Sequence, residues 1–378
     1  MFDLNELKVL SRLTVNAAVL SAFMVAATGV YANEVVFGPP EGHEMSAEKA
    51  ASKAKQARED REKRFFSDPK MLPNGVRAVL NIQLSGEKGL EAFGGGNHPY
   101  TTEGANSLSS LVPEVSSIDP VDKFPWRATG KLFMKFGNDT FVCTASVIEK
   151  GLLVTAAHCV HNFGEKNDGF ADAVTFEPGR HESSKPFGTW TAKQWWVPKV
   201  YWDGSDKCLA EAPGVVCQND VAVIVIDKLE GKFIGDVTGK YDFITKDNFG
   251  YAPFLGKMGA EITQLGYPAK DFPGDKMIRT DSLGYQEEPN NVIIGSNQTG
   301  GSSGGPWLQN FGAPSIFSGP PATDAESNQV SATTSWGYTS GTVKVQGASR
   351  FATNDKFTIK SNIQTLVEAA CGANPGFC

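Results

Sequence analysis

The chain from Phe124 onward consists of short apolar runs separated by polar and turn residues. The segment Lys131 to Phe136 alternates in part between polar and apolar positions, which is the period of a half-buried β-strand. Asp220 to Asp227 is almost continuously Val and Ile between its acidic ends, as in a fully buried strand. Since the chain also contains 40 Gly and 21 Pro, the pattern predicts an all-β domain with many turns.

The end of the chain has a different period. Ile363, Leu366, Val367 and Ala370 recur at helical spacing, so they share one face of a helix. A helix with one apolar face buries that face against the rest of its domain. We therefore predict a C-terminal helix that closes the domain and stops near Gly372.

The first 32 residues resemble a targeting segment. An apolar stretch runs from Leu13 to Ala32 and ends in Val30-Tyr31-Ala32, a small-x-small cleavage pattern. This predicts a signal peptide over residues 1–32 and a secreted protein, either extracellular or periplasmic. An uncleaved anchor is the alternative, because a stretch of about 20 residues can span a bilayer. No other segment is as apolar, so no membrane contact is expected after cleavage.

Residues 33–120 differ from the rest in composition. The run Glu44 to Arg64 is rich in Ala, Glu, Lys and Arg, and the following residues up to 121 are rich in Gly, Ser, Pro and Asn. Such segments have little apolar surface to bury. We predict a partly disordered prosegment or linker over 33–120 and a folded domain over 121–378. An inhibitory propeptide, which would make the chain a zymogen, and a tail without function both fit this pattern.

Charge and cysteine content narrow the function classes. The formal net charge of -7 argues against a nucleic-acid partner, which usually requires a basic face. Six Cys fall into three pairs that are close in sequence, and three local disulfides are the simplest scheme, although six reduced thiols are an alternative. No C-x-x-C pair or other metal-ligand pattern occurs, so we expect no metal and no cofactor. The predicted pairs are Cys143/Cys159, Cys208/Cys217 and Cys371/Cys378.

The segment Gly301-Ser302-Ser303-Gly304-Gly305-Pro306 is suited to nucleophilic catalysis. A serine hydroxyl needs an adjacent base to take its proton and N–H groups to hold the developing oxyanion. Glycines let the chain turn and let a substrate approach. The pattern also fits a linker or the nucleophile elbow of an α/β hydrolase. Such a hydrolase places its His after its Ser, whereas all five His here precede Ser303, which leaves the order His, Asp, Ser.

His158 and Asp220 are the candidate partners of Ser303. His158 follows an apolar run and adjoins Cys159, whose disulfide would fix the position of the base. Asp220 begins the Val/Ile strand, where a carboxylate is costly to bury without a hydrogen-bond partner. The imidazole of His158 would supply that partner, while a strand-capping turn is the alternative role for Asp220. None of the weaker candidates immediately precedes so apolar a run; they are Asp203, Asp206 and Asp227.

Three segments together resemble the signature segments of the trypsin/chymotrypsin-like serine peptidases. They are Thr155-Ala156-Ala157-His158-Cys159, Asn219-Asp220-Val221-Ala222 and Gly301-Ser302-Ser303-Gly304-Gly305-Pro306. Four others resemble the glutamyl-endopeptidase (V8-like) branch: Phe124-Pro125-Trp126-Arg127, Cys143-Thr144-Ala145-Ser146-Val147-Ile148, Phe176-Glu177-Pro178-Gly179 and Gly266-Tyr267-Pro268. The resemblance covers about Val121 to Cys371. It implies two packed six-stranded antiparallel β-barrels, with the triad in the cleft between them and an oxyanion hole made by the backbone N–H groups of Gly301 and Ser303.

The chain departs from the family pattern around the predicted specificity pocket. Ser302 stands where trypsin-like enzymes carry an Asp that pairs with the new N-terminus, so activation by that ion pair is not expected. Asn297 stands where trypsin carries the Asp at the base of the pocket, and Thr334 where glutamyl endopeptidases carry a His. We expect a polar, uncharged pocket formed by Asn297, Gln298 and Thr334. The strand Ser335-Trp336-Gly337 resembles the far wall, which would pair with the substrate backbone.

The sequence therefore predicts a secreted, monomeric serine endopeptidase that acts on protein or peptide substrates. Ser303 would be the nucleophile of an acyl-enzyme mechanism, His158 the acid/base and Asp220 the residue that orients the base. Two alternatives remain. One is a non-catalytic binding protein on a peptidase fold, and the other is a secreted esterase.

Overall fold

The part of the chain that the computed structural model describes is built mainly from antiparallel strands. All of it belongs to one compact unit, Glu34–Cys378. The predicted signal peptide and the charged run 44–64 lie outside the described residues. The described ranges are 34–38, 102–105, 120–208, 217–244, 252–254, 257–269, 274–288, 291–312, 327–337 and 344–378.

The first sheet has seven strands in the order β1-β7-β6-β3-β4-β5-β8, and β7 also pairs with β8. The second pairing closes six strands into a ring, and β1 adds to the outside of β7. β8, which is the predicted Val/Ile strand, is buried along its whole length. The strands are β1 (Val35–Gly38), β3 (Thr129–Phe136), β4 (Asp139–Glu149), β5 (Leu152–Thr155), β6 (Ala173–Pro178), β7 (Trp190–Pro198) and β8 (Ala222–Ile226).

The second sheet follows the order β10-β11-β14-β15-β16-β13-β12-β2, and β11 also pairs with β12 to form a second ring of six. β9 joins β15 in parallel. The core of this ring is apolar, with Ile262, Ile294 and Trp307 at its centre. The strands are β2 (Thr102–Ala105), β9 (Asp242–Phe243), β10 (Ala252–Phe254), β11 (Lys257–Gly266), β12 (Ile278–Glu288), β13 (Asn291–Gly295), β14 (Pro306–Gln309), β15 (Gln329–Gly337) and β16 (Val345–Arg350).

Helices are few and short apart from the last. The last helix, α4 (Asn362–Ala373), packs against β7 and β8, and it buries the apolar face predicted from Ile363 to Ala370. The side chain of Ser361 accepts the N–H of Gln364 (3.3 Å) and caps its start. No helix within the described ranges is long and apolar enough to cross a membrane. The α-helices are α1 (Ala157–Val160), α2 (Lys199–Trp202), α3 (Ile234–Thr238) and α4 (Asn362–Ala373); 3₁₀ turns cover Pro120–Asp122, Trp126–Ala128 and Lys166–Gly169.

The predicted fold of two six-stranded antiparallel barrels with a C-terminal helix is confirmed. The three local disulfides are present as well: Cys143–Cys159, Cys208–Cys217 and Cys371–Cys378. The first of these ties β4 to α1. β1 and β2 come from the region predicted to be a prosegment or linker, and each pairs with a ring. The processing of that region stays a prediction.

Candidate active site

His158 and Asp220 meet at the ends of two paired strands. β5 ends at Thr155, which pairs with Ala222 of β8, so the residues just beyond these strand ends lie side by side. Asp220 accepts the main-chain N–H of His158 at Oδ1 (2.8 Å), and its Oδ2 lies 2.7 Å from the ring Nδ1. Because an ionised carboxylate can only accept, Nδ1 carries the ring proton in this arrangement and the lone pair is on Nε2.

A third hydrogen bond reaches the Asp220 carboxylate from the other ring. Oγ of Ser335, on β15, donates to Oδ2 over 2.5 Å. Ser335 belongs to the predicted far wall of the pocket, and its hydroxyl points to Asp220. The carboxylate is fully buried, and these three hydrogen bonds offset its loss of water. The carboxylate thus joins β15 of the second ring to the base-bearing turn of the first.

The predicted nucleophile loop, residues 301–306, leads into β14 and is anchored to the first ring by Thr144 of β4. The N–H of Thr144 donates to the carbonyl of Ser303 (2.7 Å), and its hydroxyl donates to the carbonyl of Gly301 (2.8 Å). Within the second ring, the N–H of Gly304 donates to the carbonyl of Thr334 (2.7 Å). Three bonds from two rings therefore define the backbone on both sides of the Ser303 side chain.

The same loop lies against the segment that carries His158. Gly304 has a φ of +75°, and a Cβ at this position would come within 1.9 Å of Thr155 Oγ1 and 2.8 Å of the Ala156 N. Only glycine fits so close an approach. Ser303 is thereby brought next to the turn Ala156–His158, where it is 2 % exposed. Residues that are far apart in sequence meet here because the two rings pack together.

The backbone N–H groups around Ser303 fall into two sets. The N–H groups of Ser302 and Gly305 donate within the loop, to Thr299 O (3.1 Å) and Ser302 O (2.9 Å). The N–H groups of Gly301 and Ser303 donate to no other residue in the described part of the chain. Gly301 has a φ of +103°, and a Cβ there would lie 2.4 Å from the Tyr267 carbonyl. These two amides are the ones predicted to hold an oxyanion, and that role stays a prediction.

A family comparison fits this geometry. The model of the family described as Trypsin matches residues 119–353, which is more than half of the chain. The chain belongs to the trypsin family. The match agrees with the resemblance seen in the signature segments, and it makes the chain a member of a family of serine endopeptidases.

Two curated proteins are similar to parts of this member of the trypsin family. One is the extracellular metalloprotease of Bacillus subtilis (strain 168), 32% identical over 114 residues, which cover 28% of this chain and 36% of that protein. The other is the glutamyl endopeptidase of Bacillus licheniformis, 23% identical over 208 residues, or 55% of this chain and 56% of that protein. The chain thus spans about a third and about half of the lengths of these relatives. The second match agrees with the predicted V8-like branch.

Among solved structures, the chain is similar to the protease Anisep from Arthrobacter nicotinovorans. The sequence identity is 24% and the TM-score is 0.48, and the match covers 66% of this chain and 98% of that one.

The Bacillus subtilis relative is named a metalloprotease, which raises the question of whether this trypsin-family chain has side chains that could bind a metal ion. The described residues contain two clusters of ligand atoms within 4.8 Å, Cys143–His158–Cys159 and Asp206–Cys208–Cys217. A cysteine binds metal as a thiolate, whereas all four of these cysteines are in disulfides. Neither cluster fits a metal ion.

The residues predicted to line the specificity pocket have different surroundings. Asn297 is exposed, whereas Gln298 is buried and its Nε2 donates to Ile278 O (3.3 Å) and Thr280 Oγ1 (3.1 Å). Oε1 of Gln298 has no protein partner among the described residues. The pocket segment is therefore fastened to β12 through one end of the Gln298 amide.

Thr334, the third predicted pocket residue, uses its hydroxyl inside the protein. Its Oγ1 accepts from Gln264 Nε2 and from Trp307 Nε1, both at 2.9 Å, and lies 3.2 Å from Gly305 O. Trp336 is buried and packs closely over Gly347. We expect the hydroxyl of Thr334 to support the pocket from behind rather than to contact a substrate.

Three further residues of this region were not found by sequence reasoning. Ser296 Oγ donates to Gln264 Oε1 (2.8 Å), Gln264 Nε2 also donates to Gln346 Oε1 (2.5 Å), and Gln346 Nε2 donates to the carbonyl of Gln298. These residues come from three separate parts of the second ring, so no local motif could have indicated them. Together with Gln298 and Thr334 they form a buried polar network, which we call the glutamine cluster.

A group of charges joins the rings beside the nucleophile loop. Arg180 donates to Glu177 and to Asp275 (3.2 Å), Lys185 pairs with Glu177 (2.6 Å), and Lys131 pairs with Asp275 (3.2 Å). Burial opposes ionisation of Glu177, but hydrogen bonds from Lys185, Arg180 and Thr189 outweigh it, so the pKa of Glu177 is lowered. We call these five charged residues the inter-ring clasp.

The clasp adjoins the nucleophile loop through residues 267–269. The Tyr267 hydroxyl donates to the carbonyl of Arg180 (2.9 Å), and the N–H of Ala269 donates to the carbonyl of Gly300 (2.7 Å). The backbone of Gly301 also lies against the Tyr267 carbonyl. Residues 267–269 therefore connect the clasp to the start of the nucleophile loop.

Proposed function

We propose that this chain is a secreted serine endopeptidase in which Ser303, His158 and Asp220 carry the chemistry. One observation supports the proposal most directly: the buried hydrogen bond between Asp220 Oδ2 and His158 Nδ1 (2.7 Å), on the turn against which the Ser303 loop packs. Membership of the trypsin family supports the reaction class.

The proposed reaction has two halves. Nε2 of His158 takes the proton of the Ser303 hydroxyl as Oγ attacks the peptide carbonyl, and then gives that proton to the leaving amine. The acyl-enzyme left on Ser303 is cleaved by water, with His158 again acting first as base and then as acid. Asp220 holds the ring orientation and stabilises the imidazolium. The amides of Gly301 and Ser303 stabilise the negative charge on the carbonyl oxygen.

The substrate is proposed to be a protein or peptide chain held along β15. The edge near Trp336 and Gly337 would pair with the substrate backbone, and Asn297 and Gln298 would face the side chain before the cleaved bond. Asn297 is exposed and uncharged, which supports a preference for an uncharged side chain at this position.

Secretion forms part of the proposal. All six cysteines are in disulfides, which form and persist in oxidising compartments. We propose that residues 1–32 are removed as a signal peptide and that 33–120 act as a prosegment or linker ahead of the peptidase domain. The mature protein would act as a monomer and without a cofactor.

The variant Ser303→Ala tests the catalytic proposal. It removes the only atom that can form the acyl bond, so casein cleavage should fall at least about 1,000-fold, since only oxyanion and binding effects remain. A phosphonate should label the wild type at Ser303 and leave the variant unlabelled. Ser205→Ala, on an exposed loop, is the control and should cleave casein like the wild type.

The same experiment separates the competing functions. Undiminished peptide cleavage by Ser303→Ala would show that Ser303 is not the nucleophile. A processed wild type that does not react with the phosphonate would support a binding protein on a peptidase fold. Turnover of short esters without any peptide turnover would support an esterase.

A further inference from the structure

Asp206 lies directly behind the strand end that carries Asp220. Its carboxylate accepts two hydrogen bonds from Asn219, one from the main-chain N–H to Oδ2 and one from the side-chain Nδ2 to Oδ1, both 2.7 Å long. Both residues are buried. A two-point contact with a charged acceptor fixes orientation as well as position. Asn219 immediately precedes Asp220, so this contact also restricts the position of the Asp220 backbone.

The C-terminal region holds Asn219 from its other side. Oδ1 of Asn219 accepts from Nδ2 of Asn354 (2.8 Å) and from Nδ2 of Asn362 (3.2 Å), the first residue of α4. Asn362 is fixed in turn by donating to the carbonyl of Arg350 (3.1 Å). We call Asp206, Asn219, Asn354 and Asn362 the Asn219 clamp. It joins the loop before β8 to the last helix of the chain.

The loop of Asp206 is itself well anchored. The N–H of Asp206 donates to the carbonyl of Val200 (2.9 Å), and the N–H of Gln218 donates to the carbonyl of Lys207 (3.0 Å). The disulfide Cys208–Cys217 closes the chain between these points. These contacts fix the position of the Asp206 carboxylate. If its hydrogen bonds to Asn219 break, Asn219 and the adjacent Asp220 are therefore free to move relative to it.

We propose that Asp206 is a positioning residue, whose ionised carboxylate holds Asn219 and thereby keeps Asp220 in line with His158. The proposal rests on the proposed function, since it assigns Asp206 to the orientation of the proposed triad. Asp206 touches neither a substrate nor a reacting atom. Its contribution would appear in turnover rather than in substrate binding.

The charge state of the buried Asp206 carboxylate changes at mildly acidic pH. Burial raises its pKa to about 6, although hydrogen bonds from Asn219 and the N–H of Lys207 oppose the rise and the charge of Asp220 adds to it. Three titratable groups surround these residues: His158, bound to Asp220, and the exposed ion pair of the Lys207 and Asp355 side chains (2.9 Å). Asp203, on the same loop, is bound to Ser205.

Protonation would disturb the clamp because every group around the carboxylate is a donor. Asn219 presents two N–H groups to Asp206 and Lys207 a third, so an acid proton on either oxygen has no acceptor and displaces a donor. Below about pH 6 the clamp loosens as Asp206 takes up its proton. His158 must also be unprotonated to act as a base. Loss of activity in acid therefore involves two protons.

Comparison of Asp206→Asn with the wild type tests this inference. In the wild type, kcat/KM for a peptide substrate should fall with the square of the proton concentration as both groups take up protons, until the roughly 10- to 100-fold less active form with protonated Asp206 dominates. In Asp206→Asn it should fall with the first power, because the amide does not titrate. At pH 8 the variant should show kcat lower by roughly 10- to 100-fold with an unchanged KM, since misplacing a catalytic group costs on that order.

Asp203→Asn is the matched control, since it makes the same change on the same loop, at a less buried side chain that accepts its hydrogen bonds from Ser205. It should keep the wild-type kcat and the squared dependence. A wild-type acid limb of first order, or an Asp206→Asn variant with wild-type kcat, would overturn the positioning role. If the Asp206→Asn variant does not fold, the pH profile of the wild type alone still tests the proposal.

Phosphonate labelling and NMR distinguish this failure from that of the proposed function. If the wild type reacts at Ser303 but the acid limb is of first order, only the role of Asp206 is wrong. The low-field resonance of the His158 Nδ1 proton gives a readout without turnover. Protonation of His158 itself also shifts this resonance, so the wild type and Asp203→Asn should show two steps, one of them near pH 6 from Asp206. Asp206→Asn should show only the step of His158; two steps in that variant would count against the proposal.

Discussion

At the residue scale, the candidate site depends on groups that allow close approach as much as on reactive ones. Asp220 is tolerated in the interior because His158 and Ser335 saturate it with hydrogen bonds. The nucleophile loop can touch the His158 turn because Gly304 has no side chain. The proposed catalytic groups can therefore come together only because residue 304 has no Cβ.

Gly304→Ala should therefore damage the site more than its size suggests. The new methyl group would lie 1.9 Å from Thr155 Oγ1 and 2.5 Å from the Thr144 carbonyl, so the loop must move away from the first ring. We expect kcat/KM to fall roughly 100-fold or more, the size of effect that a displacement of about 1 Å can have.

Gly312→Ala provides the control for that experiment. Gly312 has a similar φ of +84°, but no atom lies within 4 Å of a Cβ built there. This variant should lose about 1 kcal/mol of stability from the left-handed backbone and keep its activity. Equal losses of activity in the two variants would show that contact with the His158 turn is not what Gly304 protects.

At the element scale, several separate elements support the nucleophile loop. β4 bonds to its carbonyl groups, and residues 267–269, which the inter-ring clasp contacts, bond to Gly300 and lie against Gly301. Within the clasp, Glu177 is the most buried charged residue, with a side chain that is 4 % exposed. Removing one charge from such a buried group leaves its partner charges without a counter-charge, and this lowers the stability of the fold.

Glu177→Gln should lower the free energy of unfolding by about 3 kcal/mol at pH 7, because Arg180 and Lys185 lose their buried counter-charge. The lowered pKa of Glu177 gives the pH dependence. Its contribution is complete above the ordinary value of 4.5 and is lost as the pH falls through the lower folded value. The difference between variant and wild type should therefore shrink in acid.

Denaturant titrations at several pH values measure this effect. The control is Glu182→Gln, which removes an exposed pair with Lys276 (2.9 Å) and should leave the denaturation midpoint unchanged. A Glu177→Gln variant as stable as that control would show that the clasp does not hold the rings together.

At the scale of the whole molecule, the proposed site exists only because two rings meet. His158 and Asp220 come from the first ring, whereas Ser303 and Ser335 come from the second. The region before the domain also contributes, since β1 pairs with β7 and β2 with β12. A cut between residues 33 and 120, as we propose, would decide which of these strands stay covalently joined to the peptidase domain.

Secretion and processing can be checked by N-terminal sequencing of the protein recovered outside the cell. Removal of the predicted signal peptide should expose Asn33, and removal of the prosegment should expose a later residue up to about 120. Ala32→Arg should block the first cut, because the position before the cleaved bond requires a small residue. Asn33→Gln, on the other side of that bond, should be processed normally. A mature protein that still begins at Met1 would favour a membrane anchor.

The sequence by itself determined the β fold, the disulfide partners and the reactive candidates, because strand periodicity, cysteine spacing and a Gly-rich serine turn are local properties of the chain. Only the tertiary structure decided the remaining relationships. Asp206 appears in sequence as a weak rival of Asp220, and its bond to Asn219 depends on a loop folding back beside β8. The glutamine cluster and the inter-ring clasp likewise arise from residues that barrel closure and ring packing bring together, and no spacing along the chain encodes those contacts.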